Sequence, residues 1–144
     1  MADCYSLGEE YWTQQPATVD GMLGGYGDIS DTDINGSQKF LNGILKLLKP
    51  PGRTRCLDCG AGIGRISKNL LQHHFQAVDL VEQNQGFLDK AKENLKESKK
   101  AGNFFCSGLQ NFTPEEETYD VIWVQWVIIY LNNEDLTQFF IRCG

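Results

Sequence analysis

The segment from Cys56 to Arg65, Cys-Leu-Asp-Cys-Gly-Ala-Gly-Ile-Gly-Arg, has the residue types and spacing of a nucleotide-type binding loop. Its apolar start predicts the end of a buried strand, and its alternating glycines allow a sharp turn close to a ligand. Apolar residues from Ile63 to Leu71 continue at helical spacing, so the loop is predicted to open a helix that runs to about His74. Because Gly64 comes too early for Gly-x-Gly-x-x-Gly, the pattern disfavours a dinucleotide site.

Polar residues follow the predicted strands, at the edge where parallel sheets bind their ligands. Glu82 ends the second predicted strand, at roughly the 20-residue distance from the loop that places an acid on a ribose. Arg65, directly after the last glycine, suits a bidentate pair with a carboxylate, and Asp58 is predicted to hydrogen-bond the loop backbone. Trp126 follows the fourth predicted strand and either belongs to the core or forms an aromatic wall for cations and proline rings.

Strands and helices alternate along the chain, which predicts an α/β fold built from βαβ units. We expect a parallel sheet of about four strands with helices on both faces. The strands are predicted at 54–59, 75–82, 103–106 and 119–124, and the last helix at 134–142. The 144 residues fit one domain, in which residues 1–48 hold N-terminal helices and a lid and residues 49–144 hold the binding loop.

The segment from Thr18 to Ser30 is rich in both glycine and apolar residues, which is unlike a flexible linker. We predict a loop that packs over a site as a lid; a plain surface turn is the alternative. Pro16 is expected to end a preceding amphipathic helix, and Asp31 or Asp33 is expected to cap the following one.

The composition argues against several classes of protein. A net charge of −6 lacks the basic surface of nucleic-acid binders; it favours a cationic partner or merely aids solubility. No apolar run resembles a signal peptide or could span a membrane, so no membrane partner is expected. The five cysteines, an odd number, indicate reduced thiols inside a cell. Cys56 and Cys59 form a C-x-x-C, but no second pair or histidine cluster completes a zinc site, so we predict packing and no metal.

The motifs at Asp58–Arg65, Glu82 and Tyr119–Ile122 resemble those of the class I S-adenosylmethionine-dependent methyltransferases, which have a Rossmann-like fold. A closer resemblance, to the protein N-terminal methyltransferases, extends over nearly the whole chain. It rests on Gly-Met-Leu-Gly-Gly-Tyr-Gly at 21–27, Gly-Leu-Gln at 108–110, Phe-Thr-Pro at 112–114 and Gln-Trp-Val at 125–127. That family methylates the α-amine of proteins beginning Xaa-Pro-Lys. The resemblance therefore implies S-adenosylmethionine as cofactor, such N-termini as partners, and a location in the nucleus and cytoplasm.

Carried over position by position, the resemblance also implies site residues. Those for the cofactor are Gly60 and Arg65 at its methionyl part, Glu82, Gln83 and Asn84 at the ribose, Leu109 and Gln110 at the adenine, and Gln125. Those for the peptide channel are Trp12, Leu23, Gly24, Ile29 and Trp126. Where Glu82 stands, the family commonly has Asp.

Two departures from the family bear on activity. The family has Gly-His where this sequence has Ile129 and Tyr130, and that histidine is among its catalytic groups. Tyr130 thus stands at a catalytic position, although a neutral phenol is a poor proton acceptor. The resemblance also places a catalytic Asp and Asn beyond Gly144. We therefore expect a C-terminally truncated, marginally stable form with impaired transfer.

Three other functions stay open. The chain could be a non-catalytic fragment that binds a cofactor or a partner. It could be a small-molecule methyltransferase, which the glycine-rich lid disfavours, or a dinucleotide oxidoreductase, which the position of Gly64 disfavours.

Overall fold

The computed structural model describes residues 3–144, and within them a sheet of four parallel strands carries helices on both faces. The strands are β1 (Arg55–Cys59), β2 (Ala77–Glu82), β3 (Ala101–Cys106) and β4 (Val121–Val124). The helices are α1 (Cys4–Thr13), α2 (Val19–Met22), α3 (Ser30–Leu45), α4 (Arg65–Asn69), α5 (Gln85–Asn94) and α6 (Asn133–Arg142). The predicted α/β class and parallel sheet are confirmed.

The strands lie in the order β3-β2-β1-β4, so β1 and β2 occupy the middle of the sheet. In the register, Cys59 at the end of β1 pairs with Val81 of β2 on one side and with Val124 of β4 on the other. All four strands point the same way, and their carboxyl ends therefore form one edge. The residues that follow β1, β2 and β4 meet at this edge, as ligand sites on such sheets require.

Two apolar clusters hold the layers together, one on each face of the sheet. On the first face, Leu41 of α3 and Leu88 of α5 are each 1% exposed, in one cluster with Leu80 of β2. On the second face, Phe139 of α6 is fully buried, in a cluster with Leu57 of β1. Side chains alternate across a strand, so the adjacent β1 residues Cys56 and Leu57 belong to opposite clusters.

The helix after β1 is shorter than predicted. α4 ends at Asn69, and a 3₁₀ turn over Leu71–His73 follows it. Leu70 interrupts the helix because its backbone angles, φ −130° and ψ −68°, lie outside the helical region. Leu70 and Leu71 are nevertheless fully buried, so the break turns both side chains into the core.

The glycine-rich segment, predicted as a loop, contains two short helical pieces that flank a turn over residues 23–26. The hydroxyl of Thr18 accepts a hydrogen bond from the Gly21 backbone N–H at 3.0 Å and so caps α2. A 3₁₀ turn over Gly27–Ile29 then leads directly into α3. Because Ile29 is the N-cap residue of α3 and makes no side-chain cap bond, the predicted capping by Asp31 or Asp33 is wrong.

In the part of the chain from residue 3 onward, no helix has the length and apolar character needed to cross a membrane. The same stretch contains no group of three or more His, Cys, Asp and Glu side chains close enough to hold a metal ion. All five cysteines lie within it and are free. Burial raises the pKa values of the Cys56 and Cys59 thiols well above their usual range. Both thiols are therefore protonated and pack as small apolar side chains in the core.

Candidate functional site

A cleft of about 1040 Å³, counted with the solvent at its mouth, opens at the carboxyl edge of the sheet. It is lined by residues that follow β1, β2, β3 and β4 and by one side of α1. The site residues predicted from the sequence that line it are Gly60, Arg65, Glu82, Gln83, Leu109, Gln110, Gln125, Trp12, Trp126 and Tyr130. The topology therefore brings most of the predicted site to one place.

The turn from Gly60 to Gly64, here called the glycine loop, needs glycine for two reasons. Gly60, Gly62 and Gly64 have φ values of 64°, 56° and 78°, in the left-handed region that other residues rarely adopt. A Cβ atom on Gly60 would lie 2.5 Å from Val127 Cγ2, and one on Gly62 would lie 2.8 Å from Met22 Sδ. The bare backbone of the loop is thus a wall of the cleft, which a larger side chain would fill.

Glu82 joins the end of β2 to the glycine loop. Its Oε2 accepts a hydrogen bond from the Gly62 N–H at 2.8 Å, and its Oε1 accepts one from the Asn84 N–H at 3.0 Å. Burial raises the pKa of Glu82, and these backbone N–H groups act in the opposite direction. Each carboxylate oxygen retains acceptor capacity for a ligand hydroxyl, because a carboxylate has about four lone-pair sites.

Asn84 and Asp58 support the site from behind and are not among the residues that line the cleft. Asn84 Oδ1 accepts a hydrogen bond from the Phe87 N–H at 3.0 Å and so caps α5. Asp58 Oδ2 accepts one from Ser67 Oγ at 2.7 Å, so the predicted bond from Asp58 to the loop backbone is wrong. Glu82 accepts the Gly62 N–H of the loop instead, and the backbone carbonyl of Val81 in the same strand accepts the Ala61 N–H at 3.1 Å. Burial raises the pKa of Asp58 to about 7.

Arg65, which lines the cleft, is held by Asp33, which the sequence predicts as a helix cap. The Arg65 side chain is 7% exposed, and its Nη2 donates to Asp33 Oδ2 at 2.7 Å. Its Nη1 donates to Ser30 Oγ at 3.3 Å. Asp33 lies in the first turn of α3, where an acid is expected to stabilise the helix itself. No local pattern shows that it pairs with a residue 32 positions away.

Trp126 and Gln125 leave β4 and are fixed by the same carboxylate. Trp126 Nε1 donates to Asp33 Oδ1 at 3.1 Å, and Gln125 Nε2 lies 3.0 Å from both oxygens of Asp33. The Trp126 backbone has a φ of 61°, which strains a bulky residue, and its side chain is 66% exposed. Trp126 is therefore a wall of the cleft rather than a core residue, which decides between the two alternatives that the sequence left open.

α1 covers one side of the cleft although none of its residues is buried. Trp12 meets the rings of Phe87 and Tyr130 edge-on, at centroid distances of 6.5 Å and 5.8 Å. The hydroxyl of Tyr5 donates to Asp135 near the start of α6. Burial raises the pKa of Tyr130, so even less of it than of a free tyrosine is ionised at neutral pH and able to accept a proton.

Three of the residues predicted for the peptide channel, Leu23, Gly24 and Ile29, are not among those that line the cleft. A Cβ atom on Gly24 would meet only open space, and Ile29 is 44% exposed. Their contact with a peptide stays a prediction. From the glycine-rich segment, Met22 lines the cleft instead. Ala61 and Gly62 of the predicted loop and Gly108 of the predicted Gly-Leu-Gln motif also line the cleft. Sequence reasoning missed further lining residues: Cys4, Tyr5, Gly8, Ile66, Phe87, Ser107, Val127 and Leu131.

Comparison with known proteins gives strong matches over nearly the whole chain. A family model described as AdoMet dependent proline di-methyltransferase matches residues 1–144. The chain is 57% identical over 153 aligned residues to N-terminal Xaa-Pro-Lys N-methyltransferase 1 of Danio rerio, covering 99% of this chain and 69% of the relative. It is 54% identical to the Homo sapiens protein of the same name, covering 96% of this chain and 63% of the relative. The chain thus spans about two thirds of the length of these relatives.

Solved structures agree with the sequence matches. A SAM-dependent methyltransferase of Leishmania major superposes with a TM-score of 0.91 at 39% identity, covering 99% of this chain and 59% of that protein. Phosphoethanolamine N-methyltransferase 1 of Haemonchus contortus superposes with a TM-score of 0.76 at 17% identity, over 97% of this chain and 28% of that protein, which supports the fold alone. The Rossmann-like class I methyltransferase fold is thereby confirmed. Because the family model matches residues 1–144, the chain belongs to the AdoMet-dependent proline dimethyltransferases.

Proposed function

We propose that this chain binds S-adenosylmethionine and transfers its methyl group to the α-amine of proteins that begin Xaa-Pro-Lys. One arrangement carries the proposal: Glu82, Arg65 and the glycine loop all line a single cleft. A carboxylate suits the hydroxyls of a ribose, and a guanidinium suits the carboxylate of an amino acid. An adenosyl amino acid has both groups. The names of the relatives support the N-terminus of an Xaa-Pro-Lys protein as the acceptor of the methyl group.

The residues present fit the cofactor. Glu82 keeps acceptor capacity for hydroxyl groups, and Arg65 uses two of its donors on Asp33 and Ser30, which leaves others for a ligand carboxylate. Leu109 is 5% exposed and lies with Gln110 at the position proposed for the adenine, where one offers an apolar surface and the other an amide. Gly60 and Gly62 of the glycine loop line the cleft and carry no side chains, so their backbone is open to a ligand there.

The bound cofactor supplies a methyl group already activated by a sulfonium, so the protein chiefly has to position a neutral amine. Trp126 and Trp12 offer aromatic faces, which attract cations and proline rings, at the open side of the cleft. The amine must first lose a proton, since a free α-ammonium has a pKa near 7.7–8.0. Tyr130 does not remove it at neutral pH, because burial keeps its phenol protonated.

The position of Tyr130 favours a second candidate function, binding without transfer. In that case the chain holds the cofactor and a partner's N-terminus but lacks a group that deprotonates the amine. The experiment is incubation of the wild-type chain with labelled S-adenosylmethionine and a Ser-Pro-Lys peptide, followed by mass spectrometry. Methylation at the α-amine supports transfer, and calorimetric binding of S-adenosylhomocysteine without methylation supports the second function. A peptide with an acetylated N-terminus is the control, and absence of both binding and methylation contradicts the proposal.

We also propose that the protein acts in the nucleus and cytoplasm on protein partners rather than on nucleic acid or membranes. Five free cysteines suit a reducing compartment, and a net charge of −6 suits a cationic peptide such as a Lys-containing N-terminus. Imaging of a fluorescently tagged chain tests the location. Exclusion of the tagged chain from both compartments would contradict it.

A further inference from the structure

One carboxylate contacts three residues that line different parts of the cleft. Asp33 receives hydrogen bonds from Arg65 at 2.7 Å, from Gln125 at 3.0 Å and from Trp126 at 3.1 Å. Its side chain is 13% exposed, and Asp33 itself is not among the residues that line the cleft. Arg65 begins α4 directly after the glycine loop, while Gln125 and Trp126 belong to the segment after β4. Asp33 therefore links two walls of the cleft from behind.

These contacts are strong enough to fix the position of a strained residue. Trp126 is 66% exposed and has a φ of 61°, so packing contributes little to its orientation. Its indole N–H bond to the ionised carboxylate is charge-assisted, which makes it stronger than a bond between neutral groups. Gln125 is fixed on its other side as well, because its Oε1 accepts from Ser37 Oγ at 3.1 Å and from Trp123 Nε1 at 2.9 Å.

A ligand carboxylate at Arg65 would lie beside the carboxylate of Asp33. Two anions then share one guanidinium, and like charges at short range repel each other. The Arg65 side chain is only 7% exposed, so little water screens the pair. The hydrogen bond between Arg65 and Asp33 weakens, and the Asp33 carboxylate moves closer to its other donors, Gln125 and Trp126. A ligand bound at Arg65 thus changes the position of Trp126 through Asp33.

We propose that Asp33 is a positioning residue that couples occupancy of Arg65 by the cofactor carboxylate to the orientation of Trp126 at the peptide side of the cleft. This inference rests on the proposed function, in which Arg65 binds the cofactor and Trp126 the peptide. Removing the charge of Asp33 then has opposite consequences for the two ligands. The cofactor binds more tightly because its carboxylate no longer competes with Asp33 for Arg65. The peptide binds more weakly because Trp126 is no longer held in one position.

The test uses the wild-type chain labelled with ¹⁵N at its three tryptophan indoles. Trp126→Phe assigns the Trp126 signal. S-adenosylhomocysteine is expected to shift that signal in the wild type, and 5′-methylthioadenosine, which lacks the carboxylate, is expected to leave it in place. In Asp33→Asn, S-adenosylhomocysteine binds at least as tightly as in the wild type but no longer moves the Trp126 signal. Affinity for a Ser-Pro-Lys peptide falls roughly tenfold.

Matched variants separate this role from a structural one. Asp31→Asn removes an exposed charge from the same helix turn and is expected to behave as the wild type. Asp33→Glu, which restores the charge, is expected to recover part of the coupling. Trp126→Phe removes the indole N–H from the other side, so adding Asp33→Asn to it should weaken peptide binding no further.

Two results overturn the inference while the proposed function stands. One is a Trp126 signal that still responds to S-adenosylhomocysteine in Asp33→Asn. The other is an equal loss of affinity for both ligands in that variant, which indicates a purely structural role. A wild-type chain that binds no S-adenosylhomocysteine gives a different pattern: it contradicts the proposed function itself, and this inference with it.

Discussion

Glu82 at the end of β2 and Gly62 in the glycine loop are joined by a hydrogen bond of 2.8 Å between Oε2 and the backbone N–H. The bond spans neighbouring strands, so it fixes the loop relative to the sheet edge. The same carboxylate is the group proposed to bind the ribose hydroxyls. One side chain thus shapes the loop and faces the ligand, and its two roles can be separated by substitution.

Glu82→Ala is expected to weaken S-adenosylhomocysteine binding by at least tenfold, because each lost bond to a charged group contributes about 1.5–3 kcal/mol. The affinity of Glu82→Gln should lie between those of the wild type and Glu82→Ala, since its amide oxygen can still accept one of the backbone N–H bonds. Calorimetric titration measures both affinities. Glu97→Ala, at an exposed position after α5, is the control for removing an acid. Unchanged affinity in Glu82→Ala would show that the ribose lies elsewhere.

The buried carboxyl of Asp58 should make the protein less stable as the pH rises from about 4 to about 7. Burial raises its pKa to about 7, whereas an unfolded Asp has a pKa near 3.9. Between these values the folded state binds more protons, so the free energy of unfolding falls by about 1.4 kcal/mol per pH unit from this group. Asp58→Asn removes that slope, which chemical unfolding at several pH values measures. A slope that is the same in both proteins would show that Asp58 is ionised in the folded state.

The arrangement of the sheet and most of the cleft followed from the sequence because each depends on local pattern. Apolar runs mark the strands, and a parallel sheet gathers the residues that follow Cys59, Glu82 and Val124 at one edge. Glycines at alternate positions specify the loop, since its positive φ angles at Gly60 and Gly62 exclude most other residues. The family resemblance then assigned those positions to parts of a ligand.

The contacts of Asp33 could not be predicted, because a carboxylate in the first turn of a helix gives no sign of its distant partner. It looked like a capping residue, yet it bonds to Trp126, 93 positions away. The turn over Gly27–Ile29 and the break at Leu70 were missed for a related reason. In both places, packing of neighbouring elements decides the backbone and overrides local propensity.

Tyr119→Phe is expected to lower the free energy of unfolding by about 1.5 kcal/mol at pH 7, because it removes a bond to a buried charge. Asp79 is 1% exposed and accepts bonds from Arg55 at 2.6 and 2.9 Å and from the Tyr119 hydroxyl at 2.7 Å. Burial raises the pKa of Asp79, but the bond from Arg55 and those from the Asn103 N–H and Tyr119 outweigh it and hold the pKa below its usual value.

The stabilisation by this network is therefore complete above the pKa of an unfolded Asp and is lost as the pH falls through the lower pKa of the folded state. The difference between Tyr119→Phe and the wild type should shrink below about pH 4. Urea unfolding over a pH series measures it. Tyr26→Phe, at a side chain that is 67% exposed, is the matched control and should change stability little. A loss that is independent of pH would mean that Tyr119 acts through packing alone.

Tyr130→His is expected to raise the rate of methyl transfer below pH 8. In the wild type the phenol of Tyr130 stays protonated, because burial raises its pKa, so the rate depends on the amine that is already neutral. That fraction falls about tenfold for each pH unit below 7.7. An imidazole with a pKa near 6.5 accepts the ammonium proton within the cleft, and the rate should then level off above about pH 6.5. Rates with labelled cofactor and a Ser-Pro-Lys peptide from pH 6 to 9 measure both profiles. Tyr130→Phe, which supplies no base, should keep the steep slope of the wild type. If Tyr130→His keeps that slope as well, deprotonation of the amine does not occur at this position of the cleft.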